Sequence, residues 1–283
     1  MGYTLRASNE YGEIMSLTGR RDIAVTNTEG LHPPVADINV DPLALSDGAV
    51  FNSSRVGTRN IVITIYFMQN PENCRHELYK IFKPKKVVRI YYTNNTRNVY
   101  IDGRVESCVV NPFDKMQNAQ ISIICPEPYF RNITDDITDF LVVSAALEFP
   151  VEFPEEGIPF SEVSPYAEKS VINSGEVETG VVIEFQTRGA VVNPAFYNTT
   201  TGEAFLLGFS FQTGDSVRIS TLEGNKRAVL TRDGVEINLL NYIGQGSSWF
   251  NLRIGDNIFS YTALSGMEYM EARFTTTPLF EGV

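Results

Sequence analysis

Histidine is almost missing from this chain, and that removes most catalytic and metal chemistry at once. Only His32 and His76 occur in 283 residues, so a zinc set or a histidine general base would have to use one of them. His76-Glu77 opens like a zinc-protease helix, but Lys80 stands where the second histidine belongs, and HExxH is absent. His32 precedes Pro33-Pro34 with no Cys or His near it in sequence. The three cysteines, Cys74, Cys108 and Cys125, form no CxxC pair and read as buried thiols of a reducing compartment. GxSxG, P-loop and DxDxDG patterns are all lacking. The run Gly244–Ser248 has neither the lysine nor the third glycine of a phosphate cradle and reads as a turn. Asp135-Asp136 and Glu155-Glu156 read as solvated acids rather than a glycosidase pair. The sequence therefore predicts no enzyme and no catalytic, cofactor-binding or metal residues.

Long apolar runs are lacking too. None approaches the roughly 18 residues a membrane span needs, and the start MGYTLRASNE lacks a signal-peptide pattern. Synthesis and folding in the cytoplasm are the expectation. Positive charge is scarce: the net charge is −11. Residues 1–140 carry 15 basic against 16 acidic side chains, and the remainder 8 against 18. Neither part has the basic surface that phosphate-backbone binding requires, so sequence-specific nucleic-acid binding is excluded.

Aromatic and β-branched residues are plentiful, with 18 Phe and 13 Tyr, which points to β structure. Arg59–Met68 alternates Ile61, Ile63, Ile65 and Phe67 against Val62, Tyr66 and Met68, a strand apolar on both faces. Asn70-Pro71 then offers an N-cap and a first-turn proline. Cys74, Leu78, Ile81 and Phe82 make one helical stripe, and Pro84 ends it. Val87–Tyr92 is a strand again. His32-Pro33-Pro34 and Asp41-Pro42 punctuate a segment that reads as an irregular loop with edge-strand pieces, Asp47-Gly48 reads as a turn, Asn94–Arg97 as a hairpin connection, and Asp102-Gly103 as a tight turn. From Val171 onward, eight short strands, Trp249–Arg253 among them, alternate with glycine turns.

The expected fold is mainly β: an N-terminal β-sandwich-like domain with one short α-helix, then a C-terminal β-sandwich of jelly-roll or galectin-like type. The expected boundaries are 1–140, a proline-rich acidic connection at 141–170, and 171–283. Within the second domain Trp249 could face outwards, which leaves a carbohydrate-binding module as an alternative.

The succession FNSSRVGTRNIVITIYF, RHELYKIFKPKKVVRIYY and ISIICPEPYF, followed by TGDSVRISTLEGNKRAVL, WFNLRIGDNIFSYTA and PLFEGV, resembles the distal tail protein of long-tailed phages and prophages. The resemblance implies a structural virion protein forming a hexameric ring at the distal end of the tail tube. Its implied partners are further copies of itself, the tail tube protein, the tail-associated hub protein, and receptor-binding or other baseplate proteins. A ring needs head-to-tail contacts whose rotation closes. Lys83, Lys85, Lys86 and Arg89 form the one basic cluster, and with Asn94, Asn95 and Arg97 they are the candidate contacts, the basic group meeting an acidic neighbour.

Overall fold

The computed structural model describes residues 2–43, 46–113, 116–140, 144–145, 161–162 and 168–283, with backbone only at 144–145 and 161–162. The proline-rich segment singled out by the sequence therefore lies mostly outside the described residues. The chain forms two units, Met1–Ile133 with Leu279–Val283, and Thr134–Pro278.

Ten strands and one helix precede the first crossing between units: β1 (Thr4–Asn9), β2 (Ile14–Ser16), β3 (Ile23–Glu29), β4 (Ala36–Pro42), β5 (Ala49–Val56), β6 (Arg59–Phe67), α1 (Pro71–Ile81), β7 (Val87–Thr93), β8 (Asn98–Val110), β9 (Asn118–Cys125) and β10 (Phe130–Asn132). The main sheet runs β2-β1-β7-β8-β9-β6-β3. Its strands pair antiparallel, so β6 and β7 flank the helix in sequence but stand two strands apart. Ile61, Ile63 and Ile65 are fully buried beside Ile90, Ile101 and Ile121. Val62, Thr64 and Tyr66 on the reverse side of β6 are only half-buried, so that strand is covered on one face rather than two.

Helix α1 follows its predicted stripe, with Cys74, Leu78 and Ile81 buried. Asn70 does not cap it through its side chain; it takes the left-handed conformation at φ 48° instead, which asparagine tolerates better than most residues. Arg20 ties the helix to the sheet, contacting Asp22 and Glu77, the latter at 2.8 Å.

One turn assignment and one loop assignment change. Asp102-Gly103 is not a turn but the middle of the thirteen-residue β8. A Cβ on Gly103 would stand 2.5 Å from Ile123 Cγ2, so the glycine serves close strand approach. The segment expected to be an irregular loop instead carries a two-stranded ribbon of β4 and β5, which among the described residues joins no other sheet.

The second unit is a sandwich. Its six-stranded sheet follows the order Asp136–Phe140, Met270–Thr276, Val182–Thr187, Ser216–Ser220, Arg227–Arg232 and Val235–Asn238. A four-stranded sheet is built from Lys169–Asn173, Gly255–Thr262, Ala195–Asn198 and Glu203–Leu206. Phe140, Phe185, Phe196, Phe259 and Phe274 are completely buried in its core, with ring centroids 4.5–6.1 Å apart in their contacts. Asp136–Phe140, which the sequence grouped with the N-terminal part, pairs along Met270–Thr276 and delivers Phe140 to this core. Trp249–Arg253 is not a strand; only Leu252 makes an isolated bridge, to Thr179. The last residues return to the first unit, where Leu279–Phe280 pairs with β10.

Candidate assembly surface

The β4–β5 ribbon is two-faced because its register sorts the side chains. Cross-strand partners share a face, and the pairs Ala36/Val56, Val40/Phe51 and Pro42/Ala49, together with Ile38 opposite Ser54, fall on one side. The other side carries Asp37 with Arg55, an ion pair at 3.4 Å, Asn39 with Ser53, and Asp41 opposite the exposed Val50. The register shift between Asn39 and Val40 keeps this sorting intact. It leaves Asn52 without a cross-strand partner, and its Nδ2 donates to Asp41 Oδ2 at 2.7 Å on the polar side. Nothing in the described residues covers the apolar side: Ile38 is 64%, Val40 47% and Phe51 62% exposed. An isolated hairpin is marginal in water, and exposed apolar patches in general mark interaction sites.

The root of the ribbon is firmly held. Arg59, at the start of β6, is buried, and its Nη1 donates to the carbonyls of Gly30 (2.8 Å) and His32 (3.1 Å). The guanidinium lies 4.7 Å over the Phe130 ring. Burial pulls its pKa below the ordinary arginine value.

The predicted contact residues divide into two groups. Several are spent inside the chain. Lys86 pairs with Glu10 at 2.7 Å, which raises the lysine pKa and lowers that of the glutamate. Arg89 grips Asp102 with both ends of its fork, at 2.6 and 2.8 Å, and stacks 4.1 Å from the Tyr100 ring; the carboxylate bonds raise its pKa. Asn94 Oδ1 accepts from the Thr96 and Arg97 amides at 2.9 and 2.7 Å, closing the β7–β8 turn. Arg97 lies 4.0 Å over the Phe280 ring. The others stand outward: Asn95 is exposed, and Lys83 and Lys85 are exposed and form no ion pair among the described residues. Lys83 Nζ sits 5.8 Å from the ring of Tyr11.

Sequence reasoning missed the ribbon, since Pro33, Pro34 and Pro42 read as breakers; the alternation Ala36-Ile38-Val40 was the signal available. Trp249 is half-buried, with its ring 5.0 Å from Phe205 and packed on the core rather than standing free. Among the described residues no group of three or more His, Cys, Asp or Glu gathers as a metal set, and no helix is long and apolar enough to cross a membrane.

Two family models match the chain in order. The phage tail protein RIFT-related domain covers residues 17–125, and the C-terminal domain of the siphovirus-type tail component covers residues 174–277. The chain belongs to the siphophage distal tail protein family. This tail component also shares its fold with solved structures. The SPP1 Dit (gp 19.1) protein, described as a paradigm of the hub adsorption apparatus in phages infecting Gram-positive hosts, is 14% identical with a TM-score of 0.66 over 98% of this chain and 99% of that one. Chains of the phage P2 baseplate in its activated conformation, with Ca and with Sr, give 9% and 10% identity and TM-scores of 0.56 and 0.55, each covering 100% of both chains. No curated protein matches by sequence. The ribbon, its root and every predicted contact residue lie inside the RIFT-related match; Trp249 lies inside the other.

Proposed function

We propose that this tail component forms a closed, six-fold ring at the distal end of the tail tube, joining the tube to the hub and receptor-binding parts of the tail tip. It acts as a structural part of the virion, made in the host cytoplasm, and not as an enzyme. The observation that carries the reading is the uncovered apolar face of β4–β5. A lone ribbon with Ile38, Val40 and Phe51 in water gains of order 1 kcal/mol or more per side chain when a neighbour covers it. Head-to-tail contacts form a ring where their rotation closes. The structural likeness to a hub protein and to baseplate chains supports the same placement.

Light scattering and negative-stain imaging of the purified chain test this. The expected result is ring-shaped particles of six-fold mass, lost in an Ile38→Ser/Phe51→Ser variant whose melting temperature as a monomer is unchanged. A wild-type chain that stays monomeric at its highest soluble concentration, or a variant that assembles as the wild type does, overturns the reading.

A further inference from the structure

We infer that the outer face of the six-stranded sheet in the second unit binds a neutral saccharide, in the groove lined by Asp139, Glu184, Gln186, Ser216, Glu271 and Arg273. The site is independent of the ring reading. It also belongs to the other sheet from the one that Trp249 borders, where the Ser248 amide bonds the Ala204 carbonyl at 2.8 Å.

Register puts these groups together. Asp139, Arg273, Glu184 and Arg218 are cross-strand neighbours, one row over four strands. Glu271, Gln186 and Ser216, each two residues along its own strand, form the adjacent row. Side chains two apart share a face, and the residues between them, Ala272, Phe185 and Val217, are buried in the core beneath. The groove above the rows measures about 410 Å³, within the roughly 300–1,000 Å³ of small-molecule sites.

What the groove can hold follows from how its charges are spent. Arg273 donates through Nε and Nη2 to the two oxygens of Asp139, at 2.6 and 3.1 Å. Arg218 pairs with Glu184, and Arg188 with Glu271. Each of these carboxylates faces one guanidinium, so the site has no net charge with which to draw in an ion. A divalent cation would have to displace the arginines, and among the described residues no metal-ligating group of three gathers there. An anion would have to displace the carboxylates. Arg273 also holds the Asp139 carboxyl below the ordinary carboxylate value, so at neutral pH it accepts and does not donate.

Hydrogen-bonding capacity remains after the charges are matched. A carboxylate offers roughly four lone-pair sites and a guanidinium about five N–H groups. The Asp139–Arg273 pair uses two of each. Gln186 and Ser216 add an amide and a hydroxyl that carry no charge. Planar groups with two donors or two acceptors side by side match neighbouring hydroxyls, each of which both donates and accepts. The ion pairs already hold the charged side chains, so docking costs little of their entropy. A sugar is the ligand class that is uncharged and presents hydroxyls in such pairs.

Saturation-transfer NMR on the full-length chain tests the site, with glucose, galactose, N-acetylglucosamine, lactose and maltose as probes. At least one is expected to bind with millimolar or tighter affinity. Gln186→Ala/Ser216→Ala and Glu184→Gln should each weaken that binding roughly tenfold, with the melting temperature nearly unchanged because the altered groups are on the surface. The two changes are independent, so a variant that fails to fold leaves the other as the test. Tyr197→Ala, on the outer face of the four-stranded sheet, should leave binding as it is. Silence from every probe, binding that survives the groove variants, or loss in Tyr197→Ala overturns the site. Binding that requires a divalent cation, or that favours a sulfated form of the same sugar, shows recognition through charge and overturns it as well.

Discussion

Arg59 and Glu281 stand 222 residues apart in sequence, and Arg59 Nη2 donates a hydrogen bond to the Glu281 main-chain carbonyl. The same guanidinium holds Gly30 and His32 at the entrance to the ribbon. The Val283 amide bonds the Leu31 carbonyl at 3.1 Å. One buried cation therefore joins the ribbon root, the start of β6 and the chain end. Three carbonyls accept from its two Nη groups in place of a carboxylate, while Nε stays buried without a partner, so it fixes backbone positions rather than a side-chain partner.

Arg59→Met is expected to lower the stability of the first unit by about 3 kcal/mol, since it strands carbonyls that a charged donor satisfied. Arg59→Lys should fall between the two, because an ammonium cannot fork to three acceptors. Deleting residues 279–283 removes Phe280 and one of those acceptors. Combined with Arg59→Met, it should cost less than the sum of the two changes. Denaturant unfolding of the four proteins checks this, and strict additivity would contradict the link.

Asp215 is buried, 2% exposed, and its carboxylate accepts from Arg232 at 2.8 and 2.6 Å and from the Gln212 amide at 2.7 Å. Arg232 and that amide pull its pKa below the ordinary 3.8. A depressed folded pKa stabilises above the unfolded value, and the contribution fades as pH falls from there through the folded one. Asp215→Asn should cost about 2–3 kcal/mol at neutral pH. The gap in melting temperature between variant and wild type should close below pH 3.8. A gap that persists unchanged in acid would place the loss in packing instead.

Gly103→Ala should destabilise by about 1–3 kcal/mol, because the new methyl meets Ile123 Cγ2 at 2.5 Å and Cys125 Sγ at 2.9 Å in a packed layer. Gly57→Ala, beside the ribbon, meets only Asp37 Oδ2 at 3.9 Å and should be close to neutral. Equal melting temperatures for the two variants would contradict this account of Gly103.

The thiols should be inert. Burial pushes Cys74 and Cys108 up to about 11 and Cys125 up to about 12. Alkylation of the native chain at pH 8 should run on the order of a hundredfold slower than after denaturation. Rapid labelling without unfolding would show an open thiol.

Composition and periodicity alone determined the β character, the position and buried stripe of α1, and most strands of the second unit. Each depends on local alternation, which water imposes wherever one face is covered. The lack of histidine and of catalytic spacings likewise belongs to the sequence. The fate of the basic cluster was not legible there. Lysine and arginine side chains reach partners far along the chain, and only the register of β7 against β1 and β8 decided that Arg89 meets Asp102 while Lys83 and Lys85 stay outward. The same holds for Gly103, whose value as a close-approach residue exists only when Ile123 lies opposite. It holds most for β4–β5. The sequence carried the alternation of Ala36, Ile38 and Val40, but alternation says that a face will be covered without saying by what. Tertiary structure showed that none of the described residues covers that face, because among them both strands of the ribbon pair only with each other.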